Sequence, residues 1–82
     1  MAVTVRFFGV VSDLARRKEQ QLDLEPGTTV AGLLVRLRAG NPAFAPVETQ
    51  VRAVINGENA SRETVVNDGD EVLLLLAIGG GA

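Results

Sequence analysis

The chain ends in Gly79-Gly80-Gly81-Ala82, hung directly on the apolar run Val72-Leu73-Leu74-Leu75-Leu76-Ala77-Ile78. What such a terminus offers chemically is a carboxylate on a backbone without Cβ atoms. A backbone of that kind passes through a slot too narrow for other residues and can carry its carboxylate to a reagent held by another protein. Glycine has no apolar area to bury and costs the most entropy to order, so residues 79–82 are expected to protrude as a flexible tail from a domain spanning residues 1–78. The same residues also fit a frayed end without a role.

The composition restricts what else the chain can do. It contains no Cys and no His, which removes disulfides, thiolate or imidazole metal ligands, the commonest nucleophile and the commonest acid–base group near neutral pH. A catalyst acting alone is not expected, nor is a bound metal or cofactor. The formal charge of −2 argues against a nucleic-acid binder, whose affinity would come from neutralising phosphates. The N-terminal residues Met1-Ala2-Val3-Thr4-Val5-Arg6 lack the pattern of a signal peptide. The longest apolar run falls far short of the roughly 20 residues of a membrane span, so a cytoplasmic protein is expected. With 82 residues the chain can build one modest core.

The elements that must hold the tail can be read in order. Val3-Thr4-Val5-Arg6-Phe7 alternates, so Val3, Val5 and Phe7 should face the core of a first strand that ends at Gly9. Ser12 and Asp13 precede helix formers and suggest a short turn of helix. Arg16-Arg17-Lys18 reads as a solvated loop or as a rim patch for an acidic partner. Glu19 to Leu24 forms a second strand, stopped by Glu25-Pro26-Gly27 and paired with the first as a wide hairpin.

Thr28 or Thr29 caps the one long helix. Its apolar residues Val30, Leu33, Leu34 and Leu37 fall at i, i+3, i+4 and i+7, and Gly40 stands where a left-handed C-cap belongs. Asn41 to Pro46 is a proline-bounded connection with Phe44 reaching the core. Val51 to Ile55 is a third strand, Asn56-Gly57 a tight hairpin turn, and Glu58 to Ala60 a short strand. Ser61 to Val66 reads as a connection, and Asn67-Asp68-Gly69-Asp70 as the turn that launches the final strand.

The fold class is α+β, a four- to five-stranded mixed sheet with one main helix on one face. The final strand reads as apolar on both faces, yet one helix shields only one of them. The other is covered by the long connections 9–18 and 41–50, or is an exposed patch that marks a protein partner. Whether Leu74 and Leu76 or Leu73 and Leu75 point outward is open, because a one-residue slip exchanges the faces.

These pieces together resemble the MoaD/ThiS family of ubiquitin-like sulfur carriers, and within it the molybdopterin synthase small subunits. The likeness is carried by Val5-Arg6-Phe7-Phe8-Gly9, Pro26-Gly27-Thr28-Thr29-Val30 with Leu33-Leu34, Val54-Ile55-Asn56-Gly57-Glu58, Asn67-Asp68-Gly69-Asp70-Glu71-Val72 and the glycine tail. The resemblance implies a β-grasp fold and a non-catalytic carrier. An E1-like partner that consumes ATP adenylates the C-terminal glycine carboxylate, and sulfur transfer converts it to a thiocarboxylate. In molybdenum cofactor biosynthesis the tail then enters the large subunit of molybdopterin synthase, in a heterotetramer. Gly80 and Gly81 fall on the family's terminal Gly-Gly, so Gly81 would carry the sulfur.

There are two departures from the family pattern. Leu76-Ala77 stands where the family has a Pro-Pro pair, so the strand is expected to run longer and the tail to be less stiff at its root. Ala82 follows the diglycine, which implies a protease that removes it before use. Carriers for thiamine, cysteine or tRNA thiolation share the tail chemistry. A protein modifier joined through Gly81 to lysines, and an interaction module with an inert tail, are readings from other classes.

Overall fold

The computed structural model describes residues 1–76. The tail, with Gly80 and Gly81, and the predicted end of the last strand at Ala77 and Ile78 lie outside the described residues.

β1 (Ala2–Phe7) buries Val3, Val5 and Phe7 and turns Thr4 and Arg6 to the other face, as its alternation requires. It pairs antiparallel with β2 (Glu19–Asp23), Val3 opposite Leu22 and Arg6 opposite Glu19, which is the predicted hairpin. On its other side β1 runs parallel to β5 (Glu71–Leu76), Phe7 opposite Leu74. β5 in turn pairs antiparallel with β3 (Val51–Ile55), and β3 with β4 (Glu58–Ala60). The sheet order is β2-β1-β5-β3-β4, so the last described strand is the central one.

α2 (Val30–Gly40) covers one face of this sheet with Val30, Leu33, Leu34 and Leu37. Thr29 caps it, its hydroxyl accepting from the Gly32 N–H at 3.2 Å. Thr29→Ala should cost about 1 kcal/mol of stability, read by urea denaturation.

The predicted left-handed cap at Gly40 is not there. Gly40 closes the helix without a positive φ, and Asn41 leaves it at φ −149°. Pro42 is the reason, since the residue before a proline is driven out of the helical region. The connection that follows is itself ordered as a 3-10 helix (Pro42–Gln50), started by the Asn41 side chain accepting from the Ala43 N–H. As predicted, Phe44 from this segment is buried, and it stacks on Phe7 with ring centroids 6.0 Å apart.

The short helix also differs from expectation. α1 (Val10–Ala15) begins directly after Gly9, whose φ of 60° turns the chain sharply off β1, and it has no side-chain cap. Ser12 and Asp13 therefore lie inside it. Burial of Val11 and Ala15 sets where this helix starts, outweighing the capping preference of its polar residues.

The Asn56-Gly57 turn takes positive φ at both positions, 50° and 87°, as its sequence requires. Asn56 does more than turn. Its carboxamide donates to Asp70 Oδ1 at 2.9 Å and accepts from the Glu71 N–H at 3.0 Å, while Asp70 Oδ2 accepts from the Asn67 N–H at 2.8 Å. The hairpin is thereby latched to the turn that launches β5. Asn56→Gly keeps the backbone freedom and removes the latch, so about 1 kcal/mol should be lost. Asn56→Ala adds the strain of a left-handed alanine, roughly 1 to 2 kcal/mol more; urea midpoints of the two variants separate the terms.

Candidate functional site

Because β1 and β5 are parallel, the described end of β5 at Leu76 lies at the end of the sheet where β1 passes into Gly9 and α1. The strand is hydrogen-bonded on both sides as far as Leu74, to β1 and β3, and Leu75 and Leu76 continue it paired with β3 alone.

The register also decides the orientation of the last strand. Val72 and Leu74 are fully buried toward α2, while Leu73 and Leu75 are half-buried on the opposite face. β5 is thus apolar on both faces but fully buried on one only. Leu76 lies partly buried against the core. The outward pair is Leu73 and Leu75.

These leucines sit in a defined neighbourhood. Leu73 lies between Arg6 of β1 and Val54 of β3, and Leu75 lies opposite Arg52 of β3. Phe8, in phase with Thr4 and Arg6, extends the same face and is 63% exposed. A groove of about 540 Å³ runs beside it, lined by Arg6, Phe8, Gly9, Lys18 and Leu73 among others. The connection 41–50 does not reach this face, and 9–18 borders it only at the groove, through Gly9, Ser12, Asp13 and Lys18. They bury Val11, Ala15 and Phe44 on the α2 side, against Phe7 and the inner residues.

Charge on the face is arranged around the apolar strip. Arg6 Nε donates to Glu71 Oε2 at 2.9 Å, and its other nitrogen lies 3.6 Å from Glu19. The hydrogen bond to Glu71, then the negative charge of Glu71 and Glu19, push the already basic Arg6 guanidinium up. It therefore stays charged at any working pH. Arg52 has no ion-pair partner among the described residues. An aromatic and aliphatic strip with a charged border has the composition of a protein-binding surface.

In the sequence Phe8 and Val54 stand out only as members of the motifs that carry the family likeness, not as surface residues. The signal for Phe8 lies in the sequence: a second phenylalanine directly after the in-phase Phe7 has to face outward. Among the described residues no group of three or more His, Cys, Asp or Glu is placed to hold a metal ion. No helix among them is long and apolar enough to cross a membrane. The two predicted site residues, Gly80 and Gly81, lie outside the described residues.

A five-stranded mixed sheet gripping one main helix, with the last strand at its centre, defines the ubiquitin-like β-grasp class. The chain belongs to the ThiS family, whose model matches residues 5–81. Its class is that of ThiS/MoaD-like ubiquitin-like sulfur carriers, which are generally not catalysts themselves.

Solved structures share the fold. SAMP1 from Haloferax volcanii is 22% identical, with a TM-score of 0.84 over 99% of this chain and 100% of that one. Urm1 from Trypanosoma brucei is 26% identical, with a TM-score of 0.72 over 98% and 95%. The complex of subunits 1 and 2 of the molybdopterin-converting factor from Helicobacter pylori 26695 contains a chain 21% identical, with a TM-score of 0.67 over 99% and 100%. In that relative, a protein of this fold is held by a second subunit.

Proposed function

We propose that the protein is a sulfur carrier for molybdopterin biosynthesis, its Gly81 carboxylate serving as the working group after loss of Ala82. The observation that carries this reading is the central strand β5, beside an outward apolar strip, in a sequence that reaches the glycines two residues after that strand. A carboxylate is a poor acceptor for sulfur because its oxygen leaves badly. In the proposed sequence the E1-like partner brings ATP, the carboxylate oxygen attacks the α-phosphorus, and pyrophosphate departs. Hydrosulfide, supplied at the sulfide level by a sulfur donor, then attacks the acyl carbon, its C–S bond replacing the C–O bond to AMP, to give the thiocarboxylate. From this chain the chemistry needs only the carboxyl group, an unobstructed backbone and an address.

The address is the strip of Phe8, Leu73, Leu75 and Val54, which the activating enzyme and the large synthase subunit would use in turn. The test is reconstitution. Thiocarboxylated chain mixed with the large subunit should form a heterotetramer by native mass and convert the cyclic pterin precursor to molybdopterin. If the charged chain instead supports only tRNA thiolation, or thiamine or cysteine formation, the pathway assignment is wrong while the carrier reading stands.

A second reading, a protein modifier, is favoured by the likeness to SAMP1. Lysine-linked conjugates in cell extract that persist after strong reduction would identify it, and a pure sulfur carrier should show none.

A further inference from the structure

We propose that the cleft between β2 and the C-terminal half of α2 binds an oxyanion, a phosphate or carboxylate group, between the guanidinium groups of Arg17 and Arg36. The cleft measures about 220 Å³ and is lined by both arginines, with Gln20 and Asn41 beside them and Leu22 and Leu37 among its apolar residues. It lies on the α2 side of the sheet, away from the strip of Phe8, Leu73 and Leu75. It is therefore independent of the function proposed above.

Its charge runs against the composition of the chain. Acidic residues outnumber basic ones, 10 to 8, yet no carboxylate lines the cleft. The strand period is the cause: Gln20 and Leu22 point to this side, while Glu19, Gln21 and Asp23 alternate to the other. Asp13 borders Arg17 on its far side, together with Arg16 and Lys18, and does not reach the cleft. Neither Arg17 nor Arg36 has an ion-pair partner among the described residues.

The fold positions the Arg36 side chain and the Arg17 backbone. Arg36 donates to the Asp23 carbonyl at 3.2 Å, which holds its guanidinium against β2 on the border between this cleft and a neighbouring one lined by Asp23 and Glu25. Arg17 sits in a fixed loop: Ser12 Oγ donates to the Arg17 carbonyl at 3.3 Å, and Arg16 before it takes φ 60°, a conformation glycine would adopt without strain. Two planar forks across a small cleft suit an oxyanion, which accepts hydrogen bonds from each. The end of α2 would oppose an anion through its last carbonyls. Those of Leu37 and Arg38 are engaged by the Asn41 N–H at 2.8 and 3.2 Å, which reduces the opposition.

The test is an NMR titration of the isotope-labelled chain, with arginine side-chain signals included. Inorganic phosphate is compared with sodium chloride at matched ionic strength, and a short glutamate-rich peptide forms a second arm. Saturable shifts should appear at Arg17, Gln20, Arg36 and Asn41 with phosphate or peptide and not with chloride. Tighter binding of phosphate points to a free small molecule, and tighter binding of peptide to an acidic segment of a partner. Arg17→Gln and Arg36→Gln should each weaken binding about tenfold through loss of a charge-assisted hydrogen bond. Arg38→Gln makes the same charge change two residues along α2 and should leave affinity unchanged. Shifts that track chloride, that do not saturate in either arm, or that weaken equally in Arg38→Gln would overturn the site.

Discussion

A chain ending at Gly81 should become thiocarboxylated when given the E1-like partner, ATP and a sulfur donor, whereas the chain ending at Ala82 should not. Intact mass reads the outcome directly, as the replacement of one oxygen by sulfur. The reason is geometric. One further residue moves the terminal carboxylate by about 3.5 Å along an extended backbone, whereas an attack geometry holds reacting atoms about 3 to 3.5 Å apart and loses roughly a hundredfold in rate for a 1 Å misplacement. The alanine also adds a Cβ to a segment whose value lies in having none. A chain ending at Gly80 falls short by the same distance and should be equally inert. Equal activation of the Gly81 and Ala82 forms would refute both the trimming step and the slot that requires it.

The base from which that tail leaves was legible because its signals are local. Alternation along Val3 to Phe7, the 3.6-residue stripe from Val30 to Leu37 and the Asn56-Gly57 turn each report on a few neighbouring residues, and each is realised. The helix ends were less legible, because they are decided by what the next segment needs. Pro42, three-dimensionally unremarkable in itself, overrides the glycine signal at Gly40, and burial of Val11 moves the start of α1 upstream of Ser12.

The sequence of Ser61 to Val66 shows no more than a connection, yet this segment holds the fully buried Val66 and pairs Val65 with Thr29. No period exists in so short a segment to announce it. Arg62 fastens it further by donating to the carbonyls of Glu48 and Val51, contacts between residues far apart in sequence.

The orientation of β5 was illegible for a different reason. Leucine at every position from Leu73 to Leu76 erases the alternation that distinguishes the faces, and only pairing with the patterned strands β1 and β3 restores it. The candidate docking strip was hidden by the same uniformity, and Phe8 alone could have marked it.

That strip carries the second large expected effect. Leu73→Asp should weaken binding to the large synthase subunit by roughly a hundredfold or more, because it removes a central apolar contact and leaves a carboxylate without a partner in a desolvated interface. The fold should survive, since Leu73 is half-exposed while Val72 and Leu74, fully buried on either side of it, still hold the core. Circular dichroism and the urea midpoint check this. Arg6 and Val54 flank the substituted position, so Arg6 could compensate part of the new charge in the free protein. That would preserve stability without restoring the interface. Val35→Glu is the matched control: Val35 is 46% exposed on α2, on the other side of the molecule, and its substitution should leave affinity unchanged. If Leu73→Asp binds as tightly as the parent, or Val35→Glu loses as much, the partner does not read the outward face of β5. The tail would then have to be addressed from the helix side.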